Sequence, residues 1–387
     1  MNLPIRIITR QFELLDETDR YSSLQITRSW HGIGAIELRI NRYLKGADKL
    51  LRGHIIFPHN HLNKAYQIKH REIELDANGK QTENWVIRAL PLKSWMGQRI
   101  TIPPIGLSND SIQGDAETVM RHYVTNNITS PVDGNRRMED IILADNLMRG
   151  DNISWQSRYK NLAEETAETS LLSGLGWNVD IDYEARKFVF RVLEGRNLTT
   201  GQSVLPPAIF SPEFGTLKQL SYLESELNYK NFAIVAGQGE GVDRRIVEVG
   251  NASGNDRYEL FVDARDVSEE TDREEGQDPI PRPPHEIVED LTNRGNQKLA
   301  EYEQEIYLEG QALSKSRLVY GKDYDLGDMV TLQNKHWGVT MDARITEVKE
   351  IYEPEKTGIE LIFGNDRPTL MSKIKQELAG LQVEMTR

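Results

Sequence analysis

Ser23-Leu-Gln-Ile-Thr-Arg-Ser29 and Ile36-Glu-Leu-Arg-Ile40 alternate apolar with polar side chains. Leu24 and Ile26 fall on one parity, as do Ile36, Leu38 and Ile40. A period of two marks a strand with one buried face, because successive side chains leave a pleated backbone on opposite sides. Working outward, Tyr66, Ile68 and His70 continue the pattern, but Ile73 and Leu75 switch parity. That switch predicts a β-bulge near Arg71. Asp76-Ala-Asn-Gly79 predicts a turn, and Trp85, Ile87 and Ala89 the returning strand. Residues 1–100 therefore read as antiparallel β, arranged as a small barrel or sandwich.

The character changes after Pro103-Pro104. Asp115 is placed to cap a helix carrying Ala116, Val119, Tyr123 and Val124. A second helix is predicted over 157–172, with Tyr159, Ala163, Ala167 and Leu171 as its apolar stripe and Gly174 and Gly176 as its stop. Trp177, Val179, Ile181 and Tyr183 alternate, Glu184-Ala-Arg turns, and Phe188, Phe190 and Val192 return. A helix packed on a hairpin makes an α+β unit. β structure resumes from Leu220 to Phe261, where Phe232–Ala236 runs into Gly237-Gln-Gly-Glu-Gly241 and Arg245–Val249 leads out. A helix beginning near His285 steps through Val288, Leu291, Gly295, Leu299 and Tyr302. Gly295 costs such a helix about 1 kcal/mol relative to Ala, so it predicts a close approach by a neighbour. Strands are expected again at Tyr324–Gln333, Val339–Ile351 and Gly358–Phe363, and a last helix opens at Pro368.

Composition limits what this chain can be. Its 387 residues suit two or three domains, and 38% apolar content suits several modest cores. No run approaches the ~18 apolar residues of a membrane span, and Ile5-Arg6-Ile7-Ile8 is too short and too charged for a signal sequence. The expectation is synthesis in a reducing cytoplasm. Absence of Cys excludes disulfides, thiolate nucleophiles and Cys-ligated zinc. The net charge of −13 is unevenly spread: residues 263–290 carry −8, whereas residues 1–100 carry +6. The acidic run reads as a solvated linker with a stiff exit at Pro279-Ile-Pro-Arg-Pro-Pro284. The basic excess is too diffuse for a nucleic-acid surface.

Motif by motif, chemistry is weakly supported. Gly237, Gly239 and Gly241 miss the dinucleotide spacing, since Val242 stands where the third glycine belongs, and they lead into a strand, so a hairpin loop is the better reading. His59 and His61, with His54 and His70 nearby, lack a third metal ligand of known spacing. Asp180 with Asp182, and Glu72 with Glu74, could in principle flank a glycosidic bond, but alternating acids usually form the wet face of a sheet. Asp323-Tyr-Asp-Leu-Gly-Asp328 resembles a calcium loop without its distal ligand and reads as a turn entering a strand at Met329. No Gly-x-Ser-x-Gly occurs. No catalytic, cofactor-binding or metal-binding residue is expected.

Three groups of residues carry a resemblance. Tyr320-Gly-Lys-Asp-Tyr-Asp-Leu-Gly-Asp-Met-Val-Thr331 followed by Asp342-Ala-Arg-Ile-Thr-Glu-Val348, the loop Ala236–Gly241, and the openings Phe12–Asp16, Ser23–Thr27 and Gly53–Ile56 are similar to siphophage tail-tip hub (tail-associated) proteins. That family is akin to the baseplate hub of contractile-tailed phages. The resemblance spans most of residues 1–365. It implies a homotrimer in which two tail-tube-like barrels per subunit imitate sixfold symmetry. It further implies a channel that opens for the tape measure protein and DNA. Relatives often carry a wall-cleaving C-terminal extension. Here the chain ends at Arg387, so no lytic activity is expected.

The combined expectation is an α+β, multidomain chain: a first antiparallel β-barrel hub domain at 1–102, an α+β domain at 103–205, a second barrel at 206–365 with the acidic loop and helix inserted at 266–303, and an amphipathic helix at 366–387. In that helix Leu370, Ile374, Leu378, Leu381 and Met385 form a seam. It is short for an isolated coiled coil, yet three tethered copies could close it, making these candidate trimer contacts. The expected partners are a distal tail ring protein docked on the basic domain, the tape measure protein, a tail fibre or receptor-binding protein, and DNA in transit only. No cofactor and no stable membrane association are expected, and the place is the virion tail tip. Rival readings are a peptidoglycan hydrolase using Asp180 and Asp182, and the hub of a phage-derived injection device.

Overall fold

The computed structural model describes residues 3–73, 82–270, 280–312, 316–354 and 357–364. The expected turn at Asp76–Gly79, the centre of the acidic run, and the terminal helix with Leu370, Ile374, Leu378, Leu381 and Met385 lie outside the described residues.

A 14-stranded sheet dominates the molecule. From one edge it runs through Leu217–Ser225, Glu305–Ala312, Thr357–Gly364 and Val339–Tyr352. It then crosses to Ser23–Ser29, Ala35–Asn41, Asn84–Pro91, Tyr66–Glu72, Ile55–Pro58 and Ile5–Ile8, ending at Leu14–Thr18. Met329–Asn334 branches from Val339–Tyr352 and carries the short strands Asn197–Leu198 and Ile209–Phe210. The opening alternation is observed: Leu24 and Ile26 face Leu38 and Ile36 in register, and all four are buried.

The two β regions were expected as separate barrels. Among the described residues no sheet closes on itself, and the two regions are halves of one sheet joined where Val339–Tyr352 pairs with Ser23–Ser29. The physical reason is that Ser23–Ser29 offers two hydrogen-bonding edges, one taken by Ala35–Asn41 and the other by the distant C-terminal strand. The bulge lies slightly earlier than expected, at the register shift between Ile68 and His70.

Helix α1 (Ala116–Val124) starts at Asp115, whose carboxylate accepts the Thr118 N–H at 2.8 Å. Helix α2 (Leu162–Ser173) starts later than expected, because Asn161 caps it by accepting from Ala163 and Glu164. Its expected apolar stripe holds only in part: Ala163 is buried and Ala167 half-buried. Tyr159 precedes the helix and is exposed, Leu171 is partly exposed, and the fully buried face holds Leu162, Glu165, Thr166, Thr169 and Ser170. These polar groups are tolerated because each is bonded. Thr166 and Thr169 donate to the carbonyls four residues back, and Glu165 accepts from Trp155 Nε1 at 2.8 Å. The hairpin Gly176–Asp182 with Lys187–Leu193 forms as read, with Ile141–Leu143 added parallel to its second strand.

Helix α3 (Pro284–Ala300) lies across a separate three-stranded sheet of Phe232–Ala236, Ile246–Val249 and Glu259–Asp263. Gly295 lets the helix approach the sheet closely: a Cβ would stand 2.7 Å from Val249 Cγ2 and 2.8 Å from Val235 Cγ2, so these side chains would have to shift. The buried residues form four cores, one within each β region, one under α3, and the largest between the first β region and helices α1 and α2.

Candidate functional site

The seam joining the two β regions carries a buried polar network. Period-two alternation points Arg28 and Glu350, on the two joined strands, toward the same side as Lys64 and Tyr320. Lys64 Nζ lies 2.6 Å from Glu350 Oε1, with only 7% and 2% of the two side chains exposed. Tyr320 Oη donates to the same Glu350 oxygen at 3.2 Å, and Tyr352 Oη to the other at 2.8 Å. Arg28 Nη1 donates to Tyr320 Oη and to Asp325 Oδ1, both at 2.8 Å. Lys64 also stands 4.8 Å above the Tyr320 ring.

Electrostatics follow from burial with pairing. Desolvation pushes the Lys64 ammonium below its ordinary value, with Glu350 opposing. Burial alone would raise the Asp325 carboxyl. Arg28 and the Leu326 N–H outweigh it and hold the group below the usual carboxylate range. Burial holds the Tyr320 phenol well above its ordinary value. These groups satisfy one another and tie the two sheet halves together in one register.

The network continues outward. The Asp325 N–H donates to Asp328 Oδ2 at 2.8 Å, and Arg196 grips both oxygens of Asp328. The calcium-like acids Asp325 and Asp328 therefore face arginines, in a turn leading to the strand at Met329. Sequence reasoning placed that turn but missed the cations it serves. An acidic turn beside an unexplained inward-facing Arg28 was the available signal.

The remaining sequence candidates are dispersed. Asp180 accepts from Asn178 and pairs with Arg191 at 3.1 Å, while Asp182 Oδ1 accepts the Ala185 N–H at 2.9 Å and so shapes the hairpin turn. His54 meets the Lys49 carbonyl, His59 meets Glu17 and His70 meets Glu72. No cluster of three His, Asp or Glu side chains suited to a metal occurs among the described residues. Glu74 lies outside them. Gly239 and Gly241 have φ of 100° and 56°, as a hairpin loop requires.

The profile of the siphovirus ReqiPepy6 Gp37-like family matches residues 4–365. The chain belongs to this family. The likeness to siphophage tail proteins read in the sequence is thereby confirmed, and a place in the virion tail goes with it. The Gp37-like chain is similar in fold to the 43 kDa tail protein of prophage MuSo2 from Shewanella oneidensis, with 10% identity, a TM-score of 0.55, and 93% of this chain and 98% of that one covered. It is equally similar to the tail protein from Neisseria meningitidis MC58, with 10% identity, a TM-score of 0.55, and coverage of 95% and 97%. No curated protein matches the Gp37-like chain. None of its described helices is long and apolar enough to cross a membrane.

Proposed function

We propose that this tail protein is the homotrimeric hub of the tail tip, adapting a sixfold tail to a threefold tip and gating passage of the tape measure protein and DNA. The observation carrying this reading is the seam: one chain builds two β regions and locks them rigidly side by side. Three such chains in a ring present six β regions. The open sheets would become tube walls only in that ring, which is where the two expected barrels belong. The units 1–102, 103–205, 206–365 and 366–387 then serve as two wall segments, a lower part and a closing helix. The wall's +6 first region favours an acidic distal tail ring protein above. A fibre or receptor-binding protein would attach below. The role is structural, not enzymatic, and the engagement of Asp180 and Asp182 in other contacts favours it over a wall hydrolase. A threefold mass by light scattering, with a central hole in particle images, is the expected result; a monomer at every concentration rejects the hub.

A further inference from the structure

Arg99 to Ile102 runs beside the turn Arg158–Lys160. Tyr159 N–H donates to Thr101 O at 2.7 Å, and Leu162 N–H to Arg99 O at 3.0 Å. Arg136 lies on the same surface, donating to Ile100 O at 2.6 Å while Arg99 Nε donates to Arg136 O at 2.9 Å. Arg158 stands 5.1 Å from the Tyr159 ring centroid. Arg99 and Arg136 thus adjoin, Arg158 follows on the neighbouring turn, and among the described residues none of the three forms an ion pair with a carboxylate. Burial, and then the neighbouring Arg99 charge, pulls Arg136 below the ordinary guanidinium value.

The patch is also apolar. Tyr159 is 58% exposed, Ile100 45% and Ile102 38%. Tyr159 holds φ at 54°, in the left-handed region that non-glycine residues seldom enter. Backbone strain that presents an aromatic ring to solvent points to a contact surface. Tyr and Arg are also the side chains enriched where protein interfaces concentrate their energy.

A second surface has the opposite charge. The hairpin loop after Ala236 and the strand Ile246–Val249 expose Val242 and Ile246 beside Glu240, Asp243 and Glu248. Strand alternation puts Ile246 and Glu248 on one face. These three acids make no ion pair among the described residues.

We propose that these surfaces are the two halves of one head-to-tail contact between copies of this chain. Three cations around an apolar centre on one copy meet three carboxylates around an apolar centre on the next. Exposed isoleucines within the cationic patch favour a protein over a nucleic acid. A contact between two different surfaces leaves a free half on each end copy, so it closes into a ring when the rotation allows. This inference rests on the ring reading above and names the contact within it.

The test compares masses of purified full-length chains by light scattering at low and high salt, with circular dichroism as the folding control. Wild type is expected as a trimer. Arg99→Glu with Arg136→Glu and Arg158→Glu is expected as a monomer, as is Glu240→Lys with Asp243→Lys and Glu248→Lys. All six changes in one chain should restore the trimer. Because Arg99 and Arg136 also brace backbone carbonyls, Arg158→Glu with Tyr159→Ala provides a milder variant, expected to raise the assembly concentration about 10-fold or more. A wild-type trimer that persists in the folded triple variants, or six changes that fail to restore it, overturns this contact and leaves the ring standing. A wild-type monomer overturns the ring itself.

Discussion

Lys64 and Glu350 stand 286 residues apart along the chain, yet share one hydrogen bond in an almost dry site. Removing one member of such a pair strands the other charge. Lys64→Met or Glu350→Leu alone should therefore cost about 3–5 kcal/mol, whereas the double replacement should recover much of the loss. Urea denaturation of the two single variants and the double variant measures this, and a single variant within error of wild type would remove the seam from the argument. His31 makes a second prediction. Its Nδ1 meets Ser170 Oγ at 2.7 Å, and burial, followed by the charges of Arg344 and Lys93, pushes its pKa down to about 3. The folded chain thus keeps His31 neutral while the unfolded chain protonates it below about pH 6.5. The unfolded state then binds more protons, so stability falls as pH drops from about 6.5 toward 3. His31→Gln should flatten that slope in denaturation midpoints measured across the window. Neither residue announced itself in the sequence. A lone lysine or histidine carries no pattern, and its partner is supplied by another part of the chain.

At the scale of elements, local signals were read well where both ends of the interaction are local. Asp115 and Thr118 are three residues apart, so the cap of α1 was legible, and Asp115→Ala should cost about 1 kcal/mol. The hairpin at 176–193 was legible because its pairing follows from a short turn. Helix α2 was not, since its inward face is set by what Trp155 and His31 bring to it, not by its own alternation. Gly295 separates the two kinds of information. Helix propensity alone predicts that Gly295→Ala stabilises α3 by up to about 1 kcal/mol. The contacts with Val235 and Val249 predict the reverse, a loss of about 1–3 kcal/mol with α3 lifted from its sheet. Thermal melts and hydrogen exchange in α3 decide between them, and a raised Tm would show that the valines simply move aside.

At the scale of the whole molecule, the proposed ring makes its own prediction. If the seam Leu370, Ile374, Leu378, Leu381 and Met385 helps close three chains, removing residues 366–387 should raise the concentration at which trimers form without changing the far-ultraviolet spectrum per folded residue. Sedimentation across a dilution series reads this directly, and an unchanged midpoint would take the expected seam out of the interface. Clearing of cell walls in a gel, abolished by Asp182→Asn, would instead return the hydrolase reading.

The sequence by itself determined the alternating strands of the opening region, the hairpin at 176–193, the cap of α1, the close approach at Gly295 and the family. All of these are written in spacings of a few residues or in the order of motifs along the chain. Only the tertiary structure decided that the two β regions are one sheet and that Arg28, Lys64, Tyr320 and Glu350 meet at its seam. Strand alternation specifies which face a side chain takes, but both edges of a strand present the same backbone donors and acceptors, so the choice of partner is made by long-range packing.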